Sequence, residues 1–180
     1  MKKITTPFTT ETIENLQVGE EILLSGEIFT ARDAAHKRVC EMLDCGLPLP
    51  FEISGQVVYY TGPCPAPPDK IIGSVGPTTS ARMDAYAPRL IRAGLRVMIG
   101  KGARNSAVVS AIREHKGLYL AAVGGAGALL SLCVERAELI AFEDLGAEAV
   151  YKLTVRDMPL VVAVDCGGAE LMRNITISGV

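Results

Sequence analysis

Three short stretches of this chain hold residue types able to grip an anion. Thr78, Thr79 and Arg82 stand in IIGSVGPTTSARMD, where an apolar run ends in glycines and a helix is expected to begin. A helix N-terminus carries partial positive charge, so an arginine there is locally unfavourable unless an anion shares the spot. Arginine's planar fork suits a carboxylate, and a neighbouring hydroxyl can add a contact. The plainer reading is that Thr79 caps the helix while Arg82 faces solvent and Asp84 offsets its charge. Lys101 and Arg104 follow in IGKGARN. Glycines on both sides of Lys101 let the backbone turn sharply and bring the lysine towards a bound anion. The Walker spacing is missing, and a plain turn with an exposed lysine fits equally well. Arg32 and His36 belong to FTARDAAHKR. Arg32 directly follows a strand-like run and could reach the same rim from another layer, although Arg32, Lys37 and Arg38 also read as a solvated face. His36 reads as a structural or surface residue before a catalyst.

Other chemistries are disfavoured. The five cysteines (Cys40, Cys45, Cys64, Cys133, Cys166) form no C-x-x-C pair, and His36 and His115 do not complete a zinc cage. The expected metal ligand set in this chain is therefore none. Their spacing also matches no usual iron–sulfur ligand run, and reduced thiols are the expectation. Cys64 sits among prolines with no evident base beside it, so it is not read as a nucleophile. VGGAGALLSL begins like a dinucleotide fingerprint, and Glu143 and Asp144 fall near the distance at which a ribose partner is needed. Leu130 occupies the third glycine position, and close helix packing explains the glycines more simply. The formal net charge of -2 argues against a nucleic-acid or anionic-membrane surface. Charges or glycines interrupt every apolar stretch before it reaches membrane-spanning length. MKKITTPFTTETIENL has no apolar run behind its lysines, so no secretory signal is read and a cytoplasmic location is expected.

The elements that must position these residues follow from hydrophobic pattern. At 180 residues, with 49% hydrophobic and 21% charged residues, the chain suits one globular domain over 1–180. Residues 1–20 are read as a peripheral N-terminal segment. The first seventy residues are read as β-rich, with EEILLSGEIFTAR as a hairpin or bent strand. RDAAHKRVCEMLDCG has helical spacing, with Ala34, Val39, Met42 and Leu43 as its apolar stripe and Gly46 as its stop. Pro63 to Pro68 make a semi-rigid loop. Beyond it, KIIGSV, GLRVMIG, GLYLAAV and AELIAFE are continuous apolar runs, as expected of strands buried on both faces of a parallel sheet. Three connections share the order strand, glycine turn, helix. AVYKLTVRDMPLVVAVD is read as two strands joined by a turn at Asp157–Pro159, and NITISGV as a tail. The fold class expected is α/β, with a largely parallel central sheet and a β-rich N-terminal part. Ligands of such sheets gather beyond the carboxyl ends of the strands. Thr78, Arg82, Lys101 and Arg104 should therefore share one rim.

GPTTSARMD, GKGAR, GLYLAAVGGAGALL, AFEDLGAEAVYKLTVRDMPLVVAVD and FTARDAAHKR together resemble the iron–sulfur class I fumarases and L-tartrate dehydratases. The likeness is to their β subunit, equivalent to the C-terminal domain of single-chain members, and it covers nearly the whole chain in order. It implies a swivelling β/β/α domain and a hydro-lyase that reversibly dehydrates malate to fumarate. It further implies a [4Fe–4S] cluster held by a partner α subunit, an α2β2 assembly and a dicarboxylate substrate. Arg32, Arg82 and Lys101 resemble that family's substrate-carboxylate binders, and Thr78 the residue that takes the C3 proton. Thr79, Arg104 and His36 are second candidates, with Arg104 in packing. The chain departs from the family with Ala103 where many members carry asparagine, and with GGAGA in place of GGPAA. The alternatives are a tartrate dehydratase β subunit, a non-catalytic dicarboxylate- or nucleotide-binding module, and a purely structural partner subunit.

Overall fold

The computed structural model describes residues 1–122 and 125–171. In chain order it begins with strand β1 (Lys2–Thr5), helix α1 (Thr10–Glu14), strand β2 (Glu21–Thr30) and helix α2 (Asp33–Asp44). Strand β3 (Val57–Tyr59), a 3-10 turn (Ser80–Met83), helix α3 (Ala87–Arg92), strand β4 (Val97–Gly100) and helix α4 (Ser106–His115) follow. Strand β5 (Leu118–Ala121), helix α5 (Gly127–Ser131), strand β6 (Val134–Ala141), a second 3-10 turn (Glu143–Glu148) and strand β7 (Val150–Val164) complete the order.

Alternation within the short central strands decides how these pieces pack. Successive side chains of a strand point to opposite faces. Val57, Tyr59, Val97, Ile99, Leu118 and Leu120 accordingly enter one core. Val58, Tyr60, Met98 and Tyr119 enter a second. Both faces are buried, which is why these runs read as continuously apolar. Strands β1 to β5 are parallel to their neighbours. The long β7 runs antiparallel to both β5 and β2, so the sheet closes on itself through β2, β3, β4, β5 and β7. The first core fills the inside of that ring. The second lies between its outer face and α2, α3 and α4, which contribute Val39, Ile91 and Ile112 among others. The first twenty residues attach at the outer edge through β1, yet send Phe8, Ile13 and Leu16 into the inner core.

Helix ends carry their own signals. Thr9 caps α1 by accepting from the N–H of Thr12, and Asn105 caps α4 by accepting from Val108. Helix α2 has no cap of its own kind, because Arg32 stands at that position. Glu148, 114 residues away, supplies the missing acceptor: its Oε2 takes the N–H of Ala34 at 2.8 Å. The second 3-10 turn is thereby tied to the start of α2.

Several sequence expectations need correction. KIIGSV forms no strand. Ile72 and Val75 are buried, but the segment instead exchanges hydrogen bonds with Cys64 through Gly73 and Ser74. The prolines around Cys64 lack the donors that a regular ladder needs. AELIAFE contributes to β6, which pairs antiparallel with β7 and is largely half-buried or exposed rather than enclosed. No turn divides β7 at Asp157–Pro159. Asp157 takes a left-handed φ of 47° and donates its N–H to Ser25 Oγ at 3.0 Å. This coincides with a register shift between Leu24 and Gly26 on β2, so a bulge absorbs the irregularity and the strand continues. EEILLSGEIFTAR is accordingly one bent strand. In α2 the buried residues are Ala35, His36, Val39 and Cys40, while Ala34, Met42 and Leu43 are half-buried. A stripe chosen by hydropathy passes over histidine and so falls one residue out of phase. NITISGV, together with Val123 and Gly124 of the third glycine turn, lies outside the described residues.

Candidate functional site

The segment carrying Thr78 is sewn to the ends of two strands by its backbone. Thr78 donates its N–H to the carbonyl of Tyr60 at 2.6 Å, and its own carbonyl accepts from Lys101 at 3.3 Å. Ser80 donates its N–H to the Lys101 carbonyl at 2.9 Å, completing a parallel bridge between Thr79 and Lys101. Two of the three glycine turns are thus held side by side beyond β3 and β4. Gly100 makes the close approach possible, because any Cβ there would collide with the Ser80 hydroxyl.

Beneath this pair of turns lies a buried polar cluster. The Arg104 side chain is fully enclosed, and its Nε donates to Asp84 Oδ1 at 2.7 Å. Asp84 Oδ2 accepts the N–H of Asn105 at 2.7 Å. The guanidinium lies 5.2 Å from the Tyr60 ring centroid and 4.9 Å from that of Tyr119, so cation–π attraction adds to the ion pair. Tyr119 donates its hydroxyl to the carbonyl of Gly102 at 2.9 Å and therefore receives the proton of Ser80 Oγ, also at 2.9 Å. Burial pushes the Tyr119 phenol up to about 12, so it remains protonated and able to donate. Asp84 does not offset Arg82, as the sequence suggested; it neutralises Arg104. Thr79 stands at the cap position of the 3-10 turn without a side-chain cap bond. A turn of only four residues, pinned by Ser80, leaves that hydroxyl exposed.

Arg82 and Arg32 meet around a different carboxylate. Arg82 Nε donates to Asp33 Oδ1 at 2.9 Å, and Arg32 Nε donates to Asp33 Oδ2 at 3.3 Å. Glu148 Oε1 stands 3.5 Å from the same Arg32 Nε. Partial burial works to raise the pKa of Asp33, but its backbone hydrogen bond and the two arginines outweigh it and hold the carboxyl below its ordinary value. The Arg32 side chain passes over Gly62, where a Cβ would come within 2.9 Å of its Cδ. His36 lies one turn further into α2, 1% exposed, with Nδ1 3.0 Å from the Arg32 carbonyl. Its ring meets Tyr60 edge-on at 5.1 Å, and Nε2 has no hydrogen-bond partner among the described residues. Burial, aided by the charge of Arg104, depresses its pKa to about 4, so the ring is neutral near pH 7.

The site is therefore two clusters on one continuous segment. Thr78, Thr79 and Lys101 are held together by the bridge, while Arg32 and Arg82 are joined by Asp33. The 3-10 turn links Thr79 to Arg82. Lys101 is half-buried and makes no ion pair among the described residues. It lines a cavity of about 370 Å³ with Thr79, Gly102, Ala121, Ala122 and Ala163. Neither arginine lines that cavity, so no closed pocket within the described residues gathers every candidate. Two cavities of similar or larger size lie elsewhere, around Ile71 and Ile72. The arrangement offers two arginines gathered on one carboxylate and, across the Ser80–Met83 turn, a lysine beside two threonines, groups of the kind that bind carboxylates.

Asp33, Glu148, Tyr60, Tyr119 and Asp84 were missed by sequence reasoning as site residues. Asp33 alone carried a signal, since it lies between Arg32 and His36 in the same charged run. Asp144, considered above as a ribose partner, is bound by both Nη groups of Arg38 at 2.7 and 2.8 Å. That ion pair occupies one of the two acids considered for the ribose. The cysteines do not fit a cluster either. All five are free, they are spread over the fold, and no group of three or more metal-ligating side chains occurs among the described residues. No helix among the described residues is long and apolar enough to cross a membrane.

Comparison with known proteins places this geometry in context. The family model described as Fumarase C-terminus matches residues 2–175. Fumarate hydratase 2 of Leishmania major is 38% identical over 156 residues, covering 86% of this chain and 28% of that protein. The anaerobic class I fumarate hydratase of Escherichia coli is 37% identical over 160 residues, covering 88% and 29%. The chain thus spans less than a third of the fumarate hydratases it matches. A Methanocaldococcus jannaschii protein provisionally named L(+)-tartrate dehydratase subunit beta is 35% identical over 173 residues. That match covers 93% of this chain and 89% of that protein.

Proposed function

Since this chain belongs to the fumarase C-terminus family, we propose that it is the β subunit of a two-subunit hydro-lyase that reversibly dehydrates (S)-malate to fumarate. What supports the reading is the pair of bonds that gathers Arg32 and Arg82 on Asp33, together with the bridge that holds Lys101 against Thr79, next to the half-buried Thr78. In this reading the arginines and Lys101 bind the two carboxylates of the diacid, and bidentate arginine contacts fix its orientation. Thr78 lies at the C3 carbon. During dehydration the C3–H bond gives up its proton and the C2 hydroxyl departs as water. A threonine hydroxyl is a poor base at neutral pH, so its role is to position and relay the proton, with nearby cations favouring its anionic form.

The iron–sulfur cluster of the class belongs, in this proposal, to a partner α subunit, because the cysteines of this chain are dispersed. That partner also covers the open rim, and an α2β2 assembly, an active enzyme only when both chains are present, and a cytoplasmic setting follow from the same reading. A swivel of the domain towards its partner would close the site over substrate. The near full-length match to a protein named as a tartrate dehydratase β subunit favours one alternative, the same chemistry on tartrate. Turnover of malate and of tartrate by the two chains produced together tests the proposal. Activity on malate is expected; activity on tartrate alone would exchange the substrate, and activity on neither would remove the hydro-lyase reading.

A further inference from the structure

Asp33 is in the wrong place for a residue that merely suits a helix start. An acid in the first turn of α2 is favoured by the helix dipole, and that explains its presence there. It does not explain why both carboxylate oxygens are committed to arginines from different elements. Oδ1 accepts from Arg82 Nε at 2.9 Å, and Oδ2 accepts from Arg32 Nε at 3.3 Å. In each case the bond uses Nε, the inner edge of the guanidinium. No hydrogen bond engages either Nη pair among the described residues. Arg32 has a second acceptor nearby, Glu148 Oε1 at 3.5 Å. Arg82, whose side chain is 53% exposed, has only Asp33 among the described residues.

From this geometry we infer that Asp33 is a positioning residue that spaces two arginine forks so that both outer edges face one dicarboxylate. The inference rests on the dicarboxylate site proposed above and adds a residue that does not touch the ligand. An unrestrained arginine loses much rotamer freedom on binding, and a carboxylate that already holds Nε removes part of that cost before the ligand arrives. Asp33 also lowers the local positive charge, which by itself weakens anion attraction. At exposed groups that charge effect is screened by salt, whereas orientation is not. Orientation therefore dominates, and loss of Asp33 weakens binding.

The test uses succinate, a dicarboxylate that cannot be dehydrated by this route, titrated against the full chain by NMR in 0.15 M salt. Asparagine matches aspartate in shape but offers one acceptor and one donor, so Asp33→Asn can serve only one arginine. We expect Asp33→Asn to raise the Kd for succinate about tenfold with thermal stability close to that of the wild type. Arg82→Ala should also weaken binding, and adding Asp33→Asn to Arg82→Ala should change Kd less than twofold, because only Arg32 is then left to hold and the single acceptor of asparagine suffices for it. A simple structural role would weaken binding in both backgrounds alike. The inference is overturned by a wild-type Kd in Asp33→Asn, by tighter binding, by additive effects in the double variant, or by no saturable succinate binding to the wild-type chain. Turnover by the two-chain assembly separates the two readings. Coupled succinate binding without turnover of malate or tartrate leaves Asp33 in place and removes the hydro-lyase. Turnover with an unaltered Asp33→Asn Kd does the reverse.

Discussion

Arg104 and Asp84 form a buried ion pair, Nε to Oδ1 at 2.7 Å, in which the arginine side chain is fully enclosed between two tyrosines. Replacing such a pair by apolar groups can be neutral, but removing one partner strands a buried charge. Asp84→Ala should therefore destabilise the chain by about 3–5 kcal/mol. Arg104→Met should be costly too, while the double variant Arg104→Met with Asp84→Leu should recover part of the loss. Urea denaturation of the four chains checks this. Equal stability of Asp84→Ala and the wild type would show that the pair does not carry the turn beneath Lys101.

The central strands were legible because their chemistry is local. β4 and β5 lie inside the apolar runs that mark them. Candidate cations could be named for the same reason, since two of the three glycine turns carry a lysine or arginine of their own, whereas the meeting of Arg32 and Arg82 on Asp33 could not. Closure of the sheet was not legible. It depends on β7 meeting β2 and β5 along opposite edges, and no residue type encodes a pairing across 130 positions. The partner assignments failed similarly. Asp84 stands two residues from Arg82 but bonds Arg104, and Glu148 caps a helix 114 residues away. Charge pairs of this kind are settled by packing, and a nearest-neighbour reading has no access to it.

His36 predicts a specific acid sensitivity. Its pKa falls from the ordinary 6.5 to about 4 in the fold, mainly through burial. The unfolded chain therefore binds a proton below pH 6.5 that the folded chain refuses. Stability is retained above that value and is lost as pH falls from 6.5 towards 4, by roughly 3 kcal/mol in full. The groups facing the ring are the Arg32 carbonyl, Tyr60, Tyr86, Arg104 and Asp33. Asp33 opposes the effect as long as it stays ionised. In His36→Gln, the loss of stability between pH 7.5 and pH 5 should shrink by about 2 kcal/mol. A denaturation midpoint series at both pH values decides it, and an unchanged loss would assign the acid sensitivity to other groups.

Lys101 should separate function from stability. It makes no ion pair among the described residues, and only its backbone joins the bridge to Thr79 and Ser80. Side-chain truncation in Lys101→Ala leaves those bonds intact, so stability should shift by less than about 0.5 kcal/mol. If the ammonium binds a substrate carboxylate, kcat/KM on malate should fall by about a hundredfold or more, as loss of a charge-assisted contact implies. Lys101→Arg should rescue poorly, because a planar fork does not replace a compact point charge beside Gly102. Comparing melting temperature with kcat/KM in one series reads both effects, and a small change in kcat/KM would take Lys101 out of the site.

Thr78 is the harder case, because its backbone is doubly held and its side chain is the part in question. The N–H bond to Tyr60 and the carbonyl bond from Lys101 survive any substitution other than proline. Thr78→Ala thus removes a hydroxyl and a methyl from a half-buried position without releasing the segment. If that hydroxyl takes part in moving the C3 proton, kcat should drop by roughly 10²–10⁴ while substrate binding changes little. Thr78→Ser, which keeps the hydroxyl, should recover most of the rate. A binding role gives the opposite split, with KM raised and kcat nearly unchanged. The malate deuterated at C3 adds a second reading. When proton transfer limits the variant, its isotope effect on kcat should exceed that of the wild type, and an isotope effect that does not change would place Thr78 outside the proton's path.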